Sequence, residues 1–317
     1  MIVATTNPIF LCRYLYTCKG VVNMKLVIRG FFAVGLATWV AFFGGTGLAQ
    51  SIPSPKPFLV LDGTMYRNKP DLSQFGIQPI NVVYESRIFE KGTPADNLPS
   101  KARVQQIVRE LGTSHWLVMD IERWRLHGTD QQVADQVRKY VTVMEWIHEA
   151  MPGITAGIFG KTPIEDYDRS TMLPGSGGYR GWQAENDRII PLAQSVDALF
   201  PTIYTYYTDQ QGWVKFATEN MKEAKRYGKK SYVFIWPQYS ESNPLLAHQY
   251  LPPDFWKLQL ETVLQNADGV VIWGGWDGVK SDFIEWDENA PWWKITKEFM
   301  KTLTQAHPAA PRTLTIQ

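Results

Sequence analysis

Cysteine is almost missing from this chain of 317 residues: the two present, Cys12 and Cys18, both precede residue 50. A mature chain starting near Gln50 would hold no disulfide, no thiol nucleophile and no cysteine-ligated metal. Histidine is sparse too, and His115, His127, His148, His248 and His307 show neither H-x-H nor H-E-x-x-H spacing, so no metal site is expected. No G-x-S-x-G elbow is present, which removes the usual serine hydrolase signal. No G-x-G-x-x-G follows the first apolar run, which counts against a dinucleotide site, and no cofactor is expected. Charge of one sign is lacking as well, with 32 basic against 31 acidic residues. Without a global basic field or basic residues interleaved with aromatics, nucleic acid is a poor partner.

What is there begins with a leader. Lys25 and Arg29 precede an apolar run from Gly30 to Ala49, and Gly47-Leu48-Ala49 has the small residues a signal peptidase requires. Residues 1–49 are read as a leader with a secretory signal peptide, Met24 being the expected start and Ala49-Gln50 the cleavage point. The expected location is secreted or periplasmic, with no membrane contact after cleavage. An uncleaved run of about 20 apolar residues would instead anchor the chain. The leader's charged residues, Arg13, Lys19, Lys25 and Arg29, are all basic; removing these four leaves 28 basic residues against 31 acidic, a balance of −3. An anionic ligand would have to be held by local charges. Residues 50–57 read as a linker, 58–305 as a single catalytic domain, and 306–317 as a disordered tail. A monomer is expected.

Within 58–305, short apolar runs alternate with amphipathic stretches. Strands are expected at 58–62, 81–85, 115–122, 155–159, 198–204, 231–236 and 269–274. Ser100 caps a helix ending at Gly112; Thr129 and Gln132 make a capping box before a stripe running to Pro152. Further helices are expected over 212–227, 252–266 and from Pro291 to Thr304, while 161–181, rich in glycine and proline, reads as a surface loop. Buried strands alternating with helices mean a parallel sheet covered on both faces. Seven or eight such units in one domain predict an α/β fold, a distorted (β/α) TIM-like barrel, with a doubly wound sheet as the alternative. Chemistry in such barrels sits at the C-terminal strand ends.

There the third strand carries Asp120-Ile121-Glu122. Side chains alternate along a strand, so the two carboxylates share one face and one small volume. One of them is then expected to hold its proton near neutral pH, as a general acid must. Tyr84, Trp124, Tyr204, Tyr206, Trp236, Tyr239 and Trp273 fall at or near the same rim. Rings beside carboxylates suit a sugar, whose C–H face stacks while its hydroxyls bond to acids.

Asp120-Ile121-Glu122-Arg123-Trp124-Arg125 resembles the D-x-E-x-W-R segment of the hyaluronidase family of glycoside hydrolases. Phe200-Pro201-Thr202-Ile203-Tyr204 is similar to its F-P-S-I-Y segment, and Gly269-Val270-Val271-Ile272-Trp273-Gly274 to its G-V-V-I-W-G segment. The resemblance implies a seven-stranded distorted barrel cleaving a β-linked N-acetylhexosamine glycan with retention, assisted by the substrate. It makes Glu122 the acid/base, Asp120 the group that orients the acetamido nucleophile, and Tyr204 and Trp273 the walls of its pocket. The partner implied is a polysaccharide or oligosaccharide. Two alternatives remain: a noncatalytic carbohydrate-binding barrel, and a glycosidase pairing Glu122 with Glu85 or Asp62.

Overall fold

Seven of the expected apolar runs meet in parallel, and the computed structural model describes them within residues 57–112 and 114–306. The expected leader and signal peptide, the linker up to Lys56 and the tail from His307 lie outside the described residues. The strands are β1 (Leu59–Thr64), β2 (Gln78–Pro79), β3 (Asn81–Tyr84), β4 (Trp116–Asp120), β5 (Thr155–Ile158), β6 (Tyr232–Ile235) and β7 (Gly269–Gly274), followed by a hairpin of β8 (Trp276–Asp277) and β9 (Asp282–Phe283). Hydrogen bonds order them as β2-β1-β7-β6 and β3-β4-β5, every pair in these two sheets being parallel.

The segment expected as a strand over 198–204 joins the two sheets, but by single bridges rather than a ladder. Phe200 pairs with Phe159, while Leu199 and Thr202 pair with Ser231 and Phe234. Pro201 has no N–H to donate, so regular pairing breaks in the middle of the segment. Gly157 of β5 permits the close approach there, since a Cβ on it would sit 2.3 Å from the Ala198 carbonyl oxygen.

Alternation of side chains sorts the core into layers. Along β4, Leu117 and Met119 join an outer cluster with α2 (Lys101–Arg109) and α3 (Asp130–Ala150), whereas Val118 faces inward. Along β6 and β7, Val233, Ile235, Val270 and Ile272 pack outward. They meet α7 (Gln210–Arg226), α8 (Pro253–Asn266) and α9 (Pro291–Ala306). The inward residues Leu61, Val82, Val118, Phe200, Phe234 and Val271 form one shared cluster. Both sheets therefore wrap a common interior. Among the described residues no ladder joins β1 to β3, so the hydrogen-bonded ring that was expected has a seam. Side chains cross it at the top: Trp273 Nε1 donates to Tyr84 Oη at 2.9 Å, and Tyr84 donates to Met65 Sδ at 3.3 Å.

The capping box forms as expected, Thr129 accepting from the Gln132 N–H and Gln132 from the Thr129 N–H. The stretch 161–181 is not simply a loop. It holds α4 (Tyr167–Ser170) and the start of α5 (Gly177–Asp187), capped by Ser176. Tyr179, Trp182 and Asn186 recur at helical spacing and are buried, which outweighs the poor helix propensity of three glycines. Two shorter helices, α1 (Glu85–Ile88) and α6 (Ile190–Ser195), complete the layer.

Candidate active site

Each inward position extended upward by one pleat gives a rim residue. Val82 leads to Tyr84, Val118 to Asp120, Phe234 to Trp236, and Val271 to Trp273, while Phe200 leads after two pleats to Tyr204. Asp120 is the last residue of β4, paired in register with Tyr84. The strand stops there rather than at Glu122, which lies two residues beyond its end and is exposed. Ile121 is buried in the outer cluster, so the inside-outside alternation continues although the ladder does not.

The two acids have opposite environments. Asp120 is 8% exposed and its Oδ1 has no hydrogen-bond partner among the described residues. Burial, reinforced by the Glu122 charge and opposed by Lys161, pushes the Asp120 carboxyl up to about 7. Glu122 stands in solvent beside it. The backbone of its loop is fixed from two sides. Glu85 Oε2 accepts from the N–H groups of Glu122 and Arg123 at 3.0 Å each, and Tyr140 Oη donates to the carbonyls of Ile121 at 2.8 Å and Trp124 at 3.0 Å. Glu85 thereby braces the loop that carries Glu122. Asp62 is also occupied, its Oδ2 2.7 Å from Lys69 Nζ and its Oδ1 accepting from Thr64.

Removing the brace is informative. Glu85→Ala frees two backbone donors, and hydrogen bonds to a charged acceptor contribute about 1.5–3 kcal/mol each where buried. Glu85 is one-third exposed, so a loss of roughly 1–3 kcal/mol in denaturant unfolding is expected, with turnover falling because Glu122 loses its fixed position. Unchanged stability and unchanged turnover would contradict the bracing role.

Three rings wall the space above the interior. Tyr204 lies 5.9 Å from Trp273 and 5.8 Å from Trp236, and Trp236 and Trp273 are 4.8 Å apart between centroids. Trp236 is buried and donates through Nε1 to Gln238 Oε1 at 2.8 Å, so it backs the other two. Burial and the charge of Asp120 hold the Tyr204 hydroxyl neutral well above its ordinary range, and the same causes push the Tyr84 hydroxyl up to about 12. A neutral phenol keeps its proton to donate, and Tyr84 gives its own to Met65 Sδ.

Two of the expected binding residues belong elsewhere. Trp124 is fully buried against Phe89 and Tyr140 in the outer layer, its Nε1 donating to the Ala95 carbonyl at 3.2 Å. Following Glu122 by two residues, it was expected to share the rim, but the chain has left the strand and turned outward. Tyr239 is 5% exposed and packs in the cluster with Ile203, Trp213 and Phe255. Tyr206 stays near the site through another residue, donating its hydroxyl to Glu165.

Glu165 and Lys161 were missed because they lie in the stretch read as a surface loop. Thr202 and Tyr206 both donate to the Glu165 carboxylate, whose pKa burial nevertheless raises. Lys161 follows β5 by three residues and feels the charges of Glu122, Asp120, Glu85 and Glu165, while burial lowers its own pKa. The available signal was position alone: Lys161 lies three residues and Glu165 seven beyond the C-terminal end of β5. Among the described residues no group of three or more His, Cys, Asp or Glu could hold a metal ion. No helix among them is long and apolar enough to cross a membrane.

The chain shares its fold with bee venom hyaluronidase. The two superimpose with a TM-score of 0.53 at 16% identity, covering 78% of this chain and 99% of that one. Bee venom hyaluronidase in complex with a hyaluronic acid tetramer gives 0.53 at 14% identity, over 78% and 96%. The endo-beta-1,4-mannanase from Thermotoga petrophila gives 0.50 at 15% identity, over 75% and 60%. No family model and no curated protein sequence matches the chain. The likeness is one of fold, and the chemistry has to be argued from the side chains.

Proposed function

We propose that this chain is a secreted glycoside hydrolase acting on a β-linked N-acetylhexosamine glycan, with Glu122 as acid/base and the substrate's acetamido oxygen as nucleophile. The observation that carries it is the contrast within one acid pair: Asp120, buried with a free oxygen at the end of β4 and close enough to raise the pKa of Tyr84 and Tyr204, and Glu122, two residues beyond and open to solvent. The barrel in this reading is closed across the β1–β3 seam by side chains rather than by backbone pairing.

Glu122 in its acid form gives its proton to the glycosidic oxygen as the acetamido oxygen attacks C1 and the aglycone leaves. Asp120 accepts from the acetamido N–H, which turns the carbonyl oxygen toward C1 and offsets the positive charge that develops on the bicyclic intermediate. The Glu122 carboxylate then takes a proton from the water that opens this intermediate, so configuration at C1 is retained. Tyr204 and Trp273, whose ring centroids lie 5.9 Å apart, would flank the acetamido group in this reading. Support also comes from the bee venom enzyme of the same fold, whose structure contains a hyaluronic acid tetramer.

The test is a digestion panel of hyaluronan, chondroitin, chitin oligomers and peptidoglycan beside β-1,4-mannan, which has no acetamido group. Release of shorter chains from at least one N-acetylated polymer, and none from mannan, is expected. Equal cleavage of mannan would overturn the assisted mechanism, and binding without release over long incubation would leave a carbohydrate-binding barrel.

A further inference from the structure

Behind the acid-bearing loop lies a groove that the proposed chemistry does not use. It has a volume of about 760 Å³ and runs between the 96–98 loop, the 123–127 loop and the first turns of α3. Neither Asp120 nor Glu122 lines it. Arg123, Arg125, Arg138 and Lys139 contribute four cations against the carboxylates of Asp96 and Asp135. In a chain whose balance is −3 from Gln50 onward, this is a local excess of the opposite sign.

The cations differ in how far they are satisfied. Arg138 pairs with Asp135, and Lys139 lies 3.5 Å from the exposed Asp96. Arg123 lies flat over the Phe89 ring at 3.6 Å and reaches Glu85 at 3.5 Å, but its Nε is buried and has no partner. Arg125 is exposed and has no ion-pair partner among the described residues. Lys139 sits 5.8 Å over the ring of the buried Trp124. An arginine fork matches two oxygens of a carboxylate or sulfate, and several along one groove match a chain bearing them at intervals.

The rest of the lining narrows the partner. No open aromatic face is available on which nucleobases could stack. Leu98 is the groove's one large apolar side chain, which gives a lipid tail little to bury against. Gln132, Gln136 and Thr142 supply neutral polar groups of the kind sugar hydroxyls meet.

We infer that this groove is an accessory site that holds an anionic polysaccharide, bearing carboxylate or sulfate groups, outside the cleft and independently of turnover. The inference rests on the proposed function only in taking the ligand to be a glycan. Its position fits that use, because the loop forming one wall also carries Glu122, so a chain held in the groove raises the local concentration of further segments at the acid pair.

Affinity electrophoresis of the protein in gels containing dextran sulfate, polygalacturonate or neutral dextran tests it without requiring catalysis. Wild type and Glu122→Gln should both be retarded by at least one of the charged polymers and not by neutral dextran, with the shift lost as sodium chloride rises. The double variant Arg125→Glu/Arg138→Glu should bind tenfold or more weakly, and Arg125→Lys/Arg138→Lys should keep most of the shift. Matching thermal unfolding of all variants excludes misfolding as the cause. Unretarded wild type, or a charge-reversed variant retarded as strongly, would overturn the site. So would release by millimolar sodium sulfate well below the chloride concentration of equal ionic strength, because the groove would then hold a single free anion. If Glu122→Gln binds but the digestion panel is blank, the cleft reading fails while the groove stands.

Discussion

Glu122→Gln should lower turnover on the glycan by about 10²-fold or more while leaving thermal unfolding unchanged. Both halves follow from where the side chain lies. The Glu122 carboxylate is in solvent and has no hydrogen bond or ion pair among the described residues, so nothing that holds the fold is lost with its charge. The backbone N–H that Glu85 accepts is retained in the variant. Glutamine keeps the shape but cannot give a proton to the leaving oxygen or take one from water. The defect should depend on the leaving group. A glycan alkoxide is a poor leaving group and needs the proton, whereas a nitrophenolate leaves without one. An aryl N-acetylhexosaminide should therefore lose less in its first step than the polymer does. Steady-state rates on both substrates check this, and a variant as fast as wild type on the polymer would remove Glu122 from the mechanism.

Much of this geometry was legible in the residues because it depends on period and punctuation. β7 spans the six residues read from its apolar run, and Thr129 with Gln132 fixed the start of α3. Asp120, Tyr204 and Trp273 share a space because each is an even number of residues beyond an inward-facing neighbour. Two kinds of information were missing. One is where a strand ends. Trp124 was placed at the rim by its nearness to Glu122, but β4 stops at Asp120 and the indole turns into the outer layer. The other is what an irregular segment does after it leaves the sheet. Lys161, which feels the charge of the acid pair, and Glu165, which feels that of Lys161, come from a stretch whose glycines and prolines conceal α4 and the start of α5, with no periodic pattern to mark which side chains turn inward. Pro201 explains why the fifth run forms bridges instead of a ladder, a detail that the residues before and after it do not reveal.

Asp120→Asn should stabilise the protein above neutral pH while removing its activity. The Asp120 carboxyl has an ordinary value of 3.8 and stands at about 7 in the fold, burial being the largest cause. Between those values the native state keeps a proton that the unfolded chain has lost. Stability consequently falls as pH rises through that window, is unaffected below it, and carries the full penalty above it. A shift of about three units corresponds to roughly 4 kcal/mol, as an upper figure. Asparagine has the same outline and no charge to desolvate, so the penalty disappears. At about 2–4 °C per kcal/mol for a domain of this size, the variant should unfold roughly 5–15 °C higher than wild type at pH 8 and at nearly the same temperature at pH 4. Parallel curves across that range would mean that Asp120 carries no such strain. The kinetic counterpart has the opposite sign. In the proposed mechanism the carboxylate form accepts the acetamido N–H, so kcat/KM of the wild type should fall as pH drops below about 7. In Asp120→Asn that inflection should vanish along with most of the rate. A site in which losing one charge raises the melting temperature and stops the reaction is one where burial of the acid serves the chemistry at the expense of the fold.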